Sequence, residues 1–565
     1  MKQQKPKISF IAAMLIVIGS SIGAGIFFKS STVLENSQAS LVLAIFNWLV
    51  ASVAVIAMAL ALIEIASVRN DNLSIISWVK VFNRRWLYHG CKNFMTYLYL
   101  PLTFFFMPLY FICSIQDGFR GLLGLETGAH FNTSVDWLIW LALALIITTY
   151  FLTIPPLYAK VGNIQNMVVS AVKFIPLVFV PIIGFIVAGT GNGELKNVKA
   201  LVQPPQINGA TASFTQLVQA GYGITRFTGI GAGMGSFISI AAIFFAYDGF
   251  YVTAGLQSEM REPKKTPWAL FLGLLITTLF YLILAVALSI NGGLFSGMEE
   301  SMGKLFNNKR AGQIVFGVVN LMIGIGVLGI INGFALWAPR FVEDLLAQGD
   351  LPFWKQVQGR LNPNKPVVGV IYCLVLSLTV QVLFTVIGAL AYLPTVADYK
   401  NYVNTEIDKL NSMQWLYSFS DLMATWTSLF TFAFIACAIF GAIVNRKTKQ
   451  ITIANPKRYF LPAAWIAVVV NCISVFVTII EPFINLFLLF GYDETVAHTV
   501  LGNDFIELNE LVIGRVMLIV VLVFFAIISF LPVYVEDQYH KRKFGSLANY
   551  QQYVQQHLAH STING

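Results

Sequence analysis

Stretch after stretch of this chain runs to roughly 20 apolar residues, the length needed to cross a hydrocarbon core of about 30 Å. A soluble core helix rarely does this once, and here it happens about a dozen times. Lipid offers no hydrogen bonds to a bare backbone, so segments of this length must be α-helices. A membrane β-barrel would need alternating strands of about ten residues, which the sequence does not have. Composition agrees. Only 11% of the 565 residues are charged and 57% are hydrophobic, whereas a soluble domain carries about 25% charged residues.

The apolar pattern predicts twelve helices, at about 8–28, 41–66, 92–122, 134–154, 162–189, 236–257, 267–290, 311–340, 366–390, 418–444, 460–480 and 513–535. The outer end of helix 11 can run on past Pro482. The fold class expected is an all-α polytopic membrane protein. One transmembrane domain spans 1–535, with helices 1–5 at about 8–189, helices 6–10 at about 236–444 and helices 11–12 at about 460–535; a short cytoplasmic tail follows at 536–565. Lys2, Lys5 and Lys7 precede the first apolar run, as in a signal peptide. That run ends in Phe27-Phe28-Lys29, not at a small-residue cleavage site, so a retained helix is expected.

Loop charges set the orientation. Loops on the side of the N-terminus hold about 24 Lys and Arg, and the opposite loops about 9. Both termini are therefore expected in the cytoplasm, with the protein in the cell membrane. This asymmetry also accounts for much of the net charge of +9. Clusters such as Arg446-Lys447-Thr448-Lys449 and Lys541-Arg542-Lys543 flank membrane helices, where anionic headgroups are their natural partners. Membrane lipid is thus an expected partner and nucleic acid is not. The longest interruptions, about 190–235, 391–417 and 490–512, fall outside and have room for short surface or re-entrant helices.

The five cysteines form no Cys-x-x-Cys pair and the six histidines no His-x-x-x-His pair, so no metal, cofactor or redox motif is expected. No intramembrane histidine or paired carboxylate cluster suggests acid–base chemistry, so the chain does not read as an enzyme.

Two helices are unusual inside. Helix 1 carries Gly19-Ser20-Ser21-Ile22-Gly23-Ala24-Gly25-Ile26-Phe27, and helix 6 carries Phe244-Phe245-Ala246-Tyr247-Asp248-Gly249-Phe250. Glycine weakens a helix by about 1 kcal/mol relative to alanine, so both are places to unwind. Unwound backbone is tolerated in a membrane only beside protein or a water-filled cavity. Its free N–H groups attract an anion and its free carbonyls a cation. An amino acid presents both charges. Helices 1 and 6 are each the first of five, and interrupted helices at matching positions in two halves point to a transporter site. A close-packed glycine seam between helices is the alternative for helix 1. Asp248 and Lys173 are the two charges placed in mid-membrane, where an ionisable residue is a functional candidate by default. Desolvation disfavours the charged form of any buried lysine, so Lys173 is a candidate to take and release a proton. It is equally a candidate fixed cation beside the helix 1 break.

These residues resemble the amino acid–polyamine–organocation transporters. The similarity rests on Gly23-Ala24-Gly25-Ile26-Phe27, Ala59 to Ala66, Phe245 to Phe250, Ser258-Glu259-Met260-Arg261-Glu262-Pro263, Ala338-Pro339-Arg340 and Gln348 to Pro352, all in the family's order. The resemblance implies a LeuT-like five-plus-five inverted repeat with two further helices. It implies a substrate site at Ser21, Ile22, Gly23, Ala24 and Gly25 of helix 1 and at Phe245, Ala246, Tyr247, Asp248 and Gly249 of helix 6. It likens Lys173 to a helix 5 lysine found where sodium-driven relatives hold a cation. Those relatives use paired hydroxyls on helix 8, and Val318 to Phe334 here has no Ser or Thr. Two departures stand out: the loop after helix 2 reads Arg69-Asn70-Asp71-Asn72-Leu73-Ser74, and Lys29 stands where Pro or a small residue is usual.

The function expected is secondary active transport of a small-molecule amino acid by alternating access, coupled to protons. An amino-acid exchanger is the alternative, and a non-transporting membrane sensor the more distant one. Phe245, Tyr247 and Phe250 are candidates for an aromatic lid, and Glu259 for the cytoplasmic closure. Neither the particular amino acid nor the oligomeric state is legible in the sequence.

Overall fold

Ten helices of the computed structural model are long and apolar enough to cross a membrane: Leu41–Val68, Arg85–Leu123, Asp136–Leu157, Lys160–Gly189, Thr266–Ser289, Lys309–Ala347, Val367–Leu390, Ser412–Thr448, Phe460–Gly491 and Leu508–Phe544. They are helices 2 to 5 and 7 to 12 of the sequence. The other two are the interrupted ones. Helix 1 is built from Phe10–Ser21 and Gly25–Asn36, and the described part of helix 6 is Ile230–Ala246 followed by a turn. The structure describes residues 9–23, 25–68, 73–125, 131, 133, 135–191, 199–207, 209–251, 260–293, 295, 298–362, 365–392, 411–453, 455–501 and 506–563. The all-α polytopic architecture is as expected, and so is the place of both interruptions.

Short elements decorate the connections. A two-stranded hairpin pairs Gln206–Ile207 with Ala210–Thr211. Short helices lie at Phe214–Gln219 and Glu494–Leu501, within two of the long interruptions. Helix 11 does run past Pro482, to Leu488.

Several helix ends differ from the apolar pattern: helix 3 starts earlier, at Arg85, and helix 8 runs on to Ala347. Helix 1 continues eight residues beyond 28, to Asn36. Helix 6 starts earlier, at Ile230, and its regular part stops at Ala246. Helix 10 starts at Asn411, because Met413 and Leu416 are buried in the core rather than exposed in a loop. Helix 12 runs to Phe544, and Leu547–Ile563 forms a further helix in the expected tail. Hydropathy misses the extension of helix 1 because its Lys29 has buried partners, which no local pattern encodes.

Helix 3 packs along helix 8 more extensively than any other pair. Glycines allow it: a Cβ on Gly121 would lie 2.5 Å from the Gln313 carbonyl oxygen, and one on Gly317 2.6 Å from that of Gly118. Small residues at a membrane helix seam let backbones approach this closely. Helix 8, through Ile330, and helix 5, which also packs on helix 8, lie beside the interrupted part of helix 1.

Candidate transport site at the two helix breaks

The break in helix 1 removes hydrogen bonds one by one, and the groups it frees find specific partners. In a continuous helix the Gly19 carbonyl would accept from the Gly23 N–H. Here the Gly19 carbonyl accepts from the Lys173 ammonium at 2.9 Å, and the Ile22 carbonyl accepts from it at 3.2 Å. The Gly23 N–H donates instead to the Tyr281 hydroxyl at 3.4 Å. That hydroxyl lies 2.7 Å from the Ser21 carbonyl and 2.7 Å from the Ala246 carbonyl, to either of which its proton is donated. One helix 7 side chain thus joins the break of helix 1 to that of helix 6. The first turn of Gly25–Asn36 presents amide N–H groups with no helical acceptor, as at any helix start.

Helix 6 ends at Ala246 in a turn closed by Asp248 N–H on the Phe245 carbonyl at 3.2 Å and Phe250 N–H on the Tyr247 carbonyl at 3.2 Å. Gly249 sits at φ +98°, a conformation open to glycine and strained for other residues. The turn directs three side chains differently. The Phe245 ring covers the helix 1 break, 3.1 Å from where a Cβ on Gly25 would stand. Tyr247 turns into the bundle and hydrogen bonds Ser52 of helix 2 at 2.8 Å and Thr278 of helix 7 at 2.9 Å. Phe250 packs on Phe432 of helix 10, with ring centroids 5.5 Å apart. Of the three expected lid aromatics, only Phe245 lies against the helix 1 break.

Asp248 accepts from the Tyr99 hydroxyl at 2.9 Å on Oδ2, and Tyr99 also meets Tyr251 at 3.0 Å. Its Oδ1 is shielded and has no partner among the described residues. Tyr99 ends a π-helical turn, Met95–Tyr99, in helix 3. Such single-turn bulges often mark functional sites, because they shift the register of one face.

Lys173 lies on helix 5, beside Gly23, Phe27 and Gly326, around a narrow gap next to the helix 1 break. A Cβ on Gly326 would stand 3.5 Å from the Lys173 Cβ. The helix 8 segment without hydroxyls therefore runs directly past the lysine.

Lys29 is the main surprise. The longer helix 1 carries it into the protein, where it is fully buried. Its ammonium pairs with Asp421 of helix 10 at 2.6 Å, donates to the Thr425 hydroxyl at 2.8 Å, and lies 4.9 Å from the centre of the Phe245 ring. Asp421 also accepts from Tyr110 of helix 3 at 2.7 Å. Tyr110 in turn stacks on Phe28 at 4.4 Å. Aromatic rings and an ion pair therefore lie beyond the break, toward the face opposite the N-terminus. Toward the N-terminal face, Glu64 at the end of helix 2 pairs with Arg446 of helix 10 at 2.7 Å and accepts from the Lys457 N–H at 2.7 Å.

Among the expected site residues, Ser21, Ile22, Gly23, Gly25, Phe245 and Ala246 converge, and Asp248 and Gly249 form the adjoining turn. Ala24 and Glu259 lie outside the described residues. Sequence reasoning missed Tyr281, Tyr99 and Asp421, and treated Lys29 as a departure at the helix end. Asp421 was within reach, as a carboxylate inside the predicted helix 10. Tyr281 was not, because a tyrosine in an apolar helix reads as packing until its hydroxyl is placed.

The amino acid permease family model matches residues 8–492. This chain belongs to the amino acid permease family. It is a transporter with a small-molecule substrate and not an enzyme. An uncharacterized protein of Mycoplasma pneumoniae (strain ATCC 29342 / M129 / Subtype 1) is 35% identical over 240 residues, 41% of this chain and 84% of that protein. The serine/threonine exchanger SteT of Bacillus subtilis (strain 168) is 25% identical over 353 residues, 62% of this chain and 70% of that protein. Two solved structures of Mhp1, a nucleobase-cation-symport-1 family transporter, are 11% identical to it. The closed form with bromovinylhydantoin bound has a TM-score of 0.39, covering 87% of this chain and 96% of that one; the inward-facing form has a TM-score of 0.43, covering 89% and 96%.

Proposed function

We propose that this permease carries amino acids across the cell membrane by alternating access, as a proton symporter with both termini in the cytoplasm. The observation that carries the coupling is Lys173 on the Gly19 and Ile22 carbonyls. A charged ammonium there ties helix 5 to the helix 1 break. A neutral amine keeps at most weak hydrogen bonds to those carbonyls and frees helix 1 to move. Substrate binding at the break is thereby linked to one proton.

The substrate carboxylate would sit on the N–H groups at the start of Gly25–Asn36, where anions bind favourably. Its ammonium would face the carbonyls at Ser21 and Ala246 that Tyr281 holds in place. Asp248, with a free oxygen, is a further acceptor for a substrate donor group. Phe245 and the Lys29–Asp421 pair close the outer path, and Glu64–Arg446 the cytoplasmic one. Alternating access requires these two closures to open in turn. The positive bias of the N-terminal face supports the orientation.

Exchange is the second reading, favoured by the 25% identity to a protein named as a serine/threonine exchanger. Serine and threonine are accordingly the first substrates to offer. Uptake into liposomes separates the readings. A symporter accumulates substrate on an inward proton gradient with empty liposomes, and an exchanger requires amino acid inside.

A further inference from the structure

A separate polar cavity of about 440 Å³ opens at the N-terminal face, within the size range of small-molecule pockets. Its walls come from the start of helix 3, the segment after helix 8 and the end of helix 12. Its roof is the C-terminal helix, through Tyr550, Gln551, Val554 and Gln555. The roof is firmly seated: Tyr550 stacks on His540 with ring centroids 3.5 Å apart, and Tyr553 accepts from Lys355 at 2.5 Å.

Several nitrogens of the residues lining the cavity are shielded and unpartnered among the described residues. His89 lines it, is only 7% exposed, and has no partner on either ring nitrogen among the described residues. Arg85 Nε and His540 Nδ1 are also shielded and unpartnered. Three cationic side chains, Lys80, Arg85 and Lys92, line the cavity with two carboxylates, Asp350 and Glu536. Asp350 Oδ2 already accepts from Tyr88 at 2.5 Å and pairs with Lys80 at 3.3 Å, while Glu536 stands 4.0 Å from Lys92. Arg85 pairs outside the lining, with Asp537 at 2.8 Å. A buried polar group without a partner is destabilising, and here several converge on one roomy space.

We infer that this cavity binds a phosphate-class anion between helix 3, helix 12 and the C-terminal helix. A phosphate group brings several strong acceptor oxygens and negative charge, to which His89 and the Arg85 Nε can donate, while Lys92, whose ammonium already donates to the Asp350 carbonyl at 2.7 Å, adds positive charge beside them. Basic pockets beside membrane helices on one face suit phospholipid headgroups, and a free phosphate has the same chemistry. Bound there, the anion clamps the C-terminal helix onto helices 3 and 12. The inference stands independently of the coupling mechanism.

The test uses the full-length protein. Its thermal unfolding is followed in neutral detergent with inorganic phosphate against chloride at matched ionic strength. It is followed again in phosphatidylcholine nanodiscs with and without phosphatidylglycerol. The expected result is a rise in Tm with at least one of the two probes. His89→Leu and Arg85→Gln should weaken the apparent affinity about tenfold, the loss of one charge-assisted hydrogen bond. His89→Leu replaces an unsatisfied group by an apolar one and should fold; Arg85→Gln gives an independent reading. A response to phosphate alone assigns a free phosphate compound, and a response to phosphatidylglycerol alone assigns a headgroup. No response to either probe, or a response that both variants retain, overturns the proposal.

Discussion

Tyr281 has one proton and two carbonyls to serve, with a third group donating to its oxygen. Removing that oxygen leaves buried backbone groups from both broken helices without a partner. Tyr281→Phe should lower stability by about 1–3 kcal/mol, the range for orphaned buried polar groups, and should slow uptake more than an equally destabilising change far from the breaks. Thermal unfolding and initial uptake rates read this together, and a variant normal in both would contradict it. Gly25 is decided by space. A Cβ there meets the Phe245 ring at 3.1 Å, and the larger Gly25→Val should abolish substrate binding while the protein stays monodisperse. Normal affinity of that variant in an equilibrium binding assay would place the substrate elsewhere. The glycines and Asp248 were legible because they break rules that membrane helices otherwise keep. Tyr281 and Tyr99 break none, and their roles depend on where a hydroxyl points.

The second half of helix 1 is held in its first half, just beyond the break, by Lys29 and Asp421, 392 residues apart in sequence. Removing one partner of a buried pair leaves an uncompensated charge, which costs about 3–5 kcal/mol, whereas replacing both by apolar groups is often close to neutral. Asp421 is partly exposed, at 24%, so the lower end of that range applies. Asp421→Asn should therefore destabilise by about 3 kcal/mol, and Lys29→Met combined with Asp421→Leu should recover most of it. Urea unfolding of the single and double variants gives the coupling, and strict additivity would mean that the pair is not one unit. The same variants should favour the outward-open state, read as greater labelling of a cysteine introduced near Phe28. Twelve apolar periods were legible in the chain, but the ends of helices 1, 3, 6, 8, 10 and 12 were not. A lysine ends a helix by its own hydropathy, and Lys29 continues one only because Asp421 and Thr425 meet it inside the protein.

The molecule as a whole places ion pairs on both sides of the breaks, the proposed closures: Lys29–Asp421 with Phe245 on one, Glu64–Arg446 on the other. Both ion pairs involve helix 10, so movement of that helix relative to helices 1 and 2 can exchange one closure for the other. Fold class and the places of the two helix breaks were legible because membrane burial constrains them strongly. Substrate and coupling were not, because they depend on the chemistry of a few groups at the breaks. Lys173 is the group on which coupling turns in this account. Lys173→Ala should lose uphill uptake and keep exchange, since the substrate's own contacts remain.

The most direct test is uptake of labelled amino acids, serine and threonine among them, into liposomes containing the purified protein but no internal amino acid. The account predicts accumulation driven by an inward proton gradient, lost in Lys173→Ala although that variant still exchanges when amino acid is preloaded. Uptake by the wild-type protein that ignores the gradient and appears only with preloading would contradict proton symport and identify an exchanger.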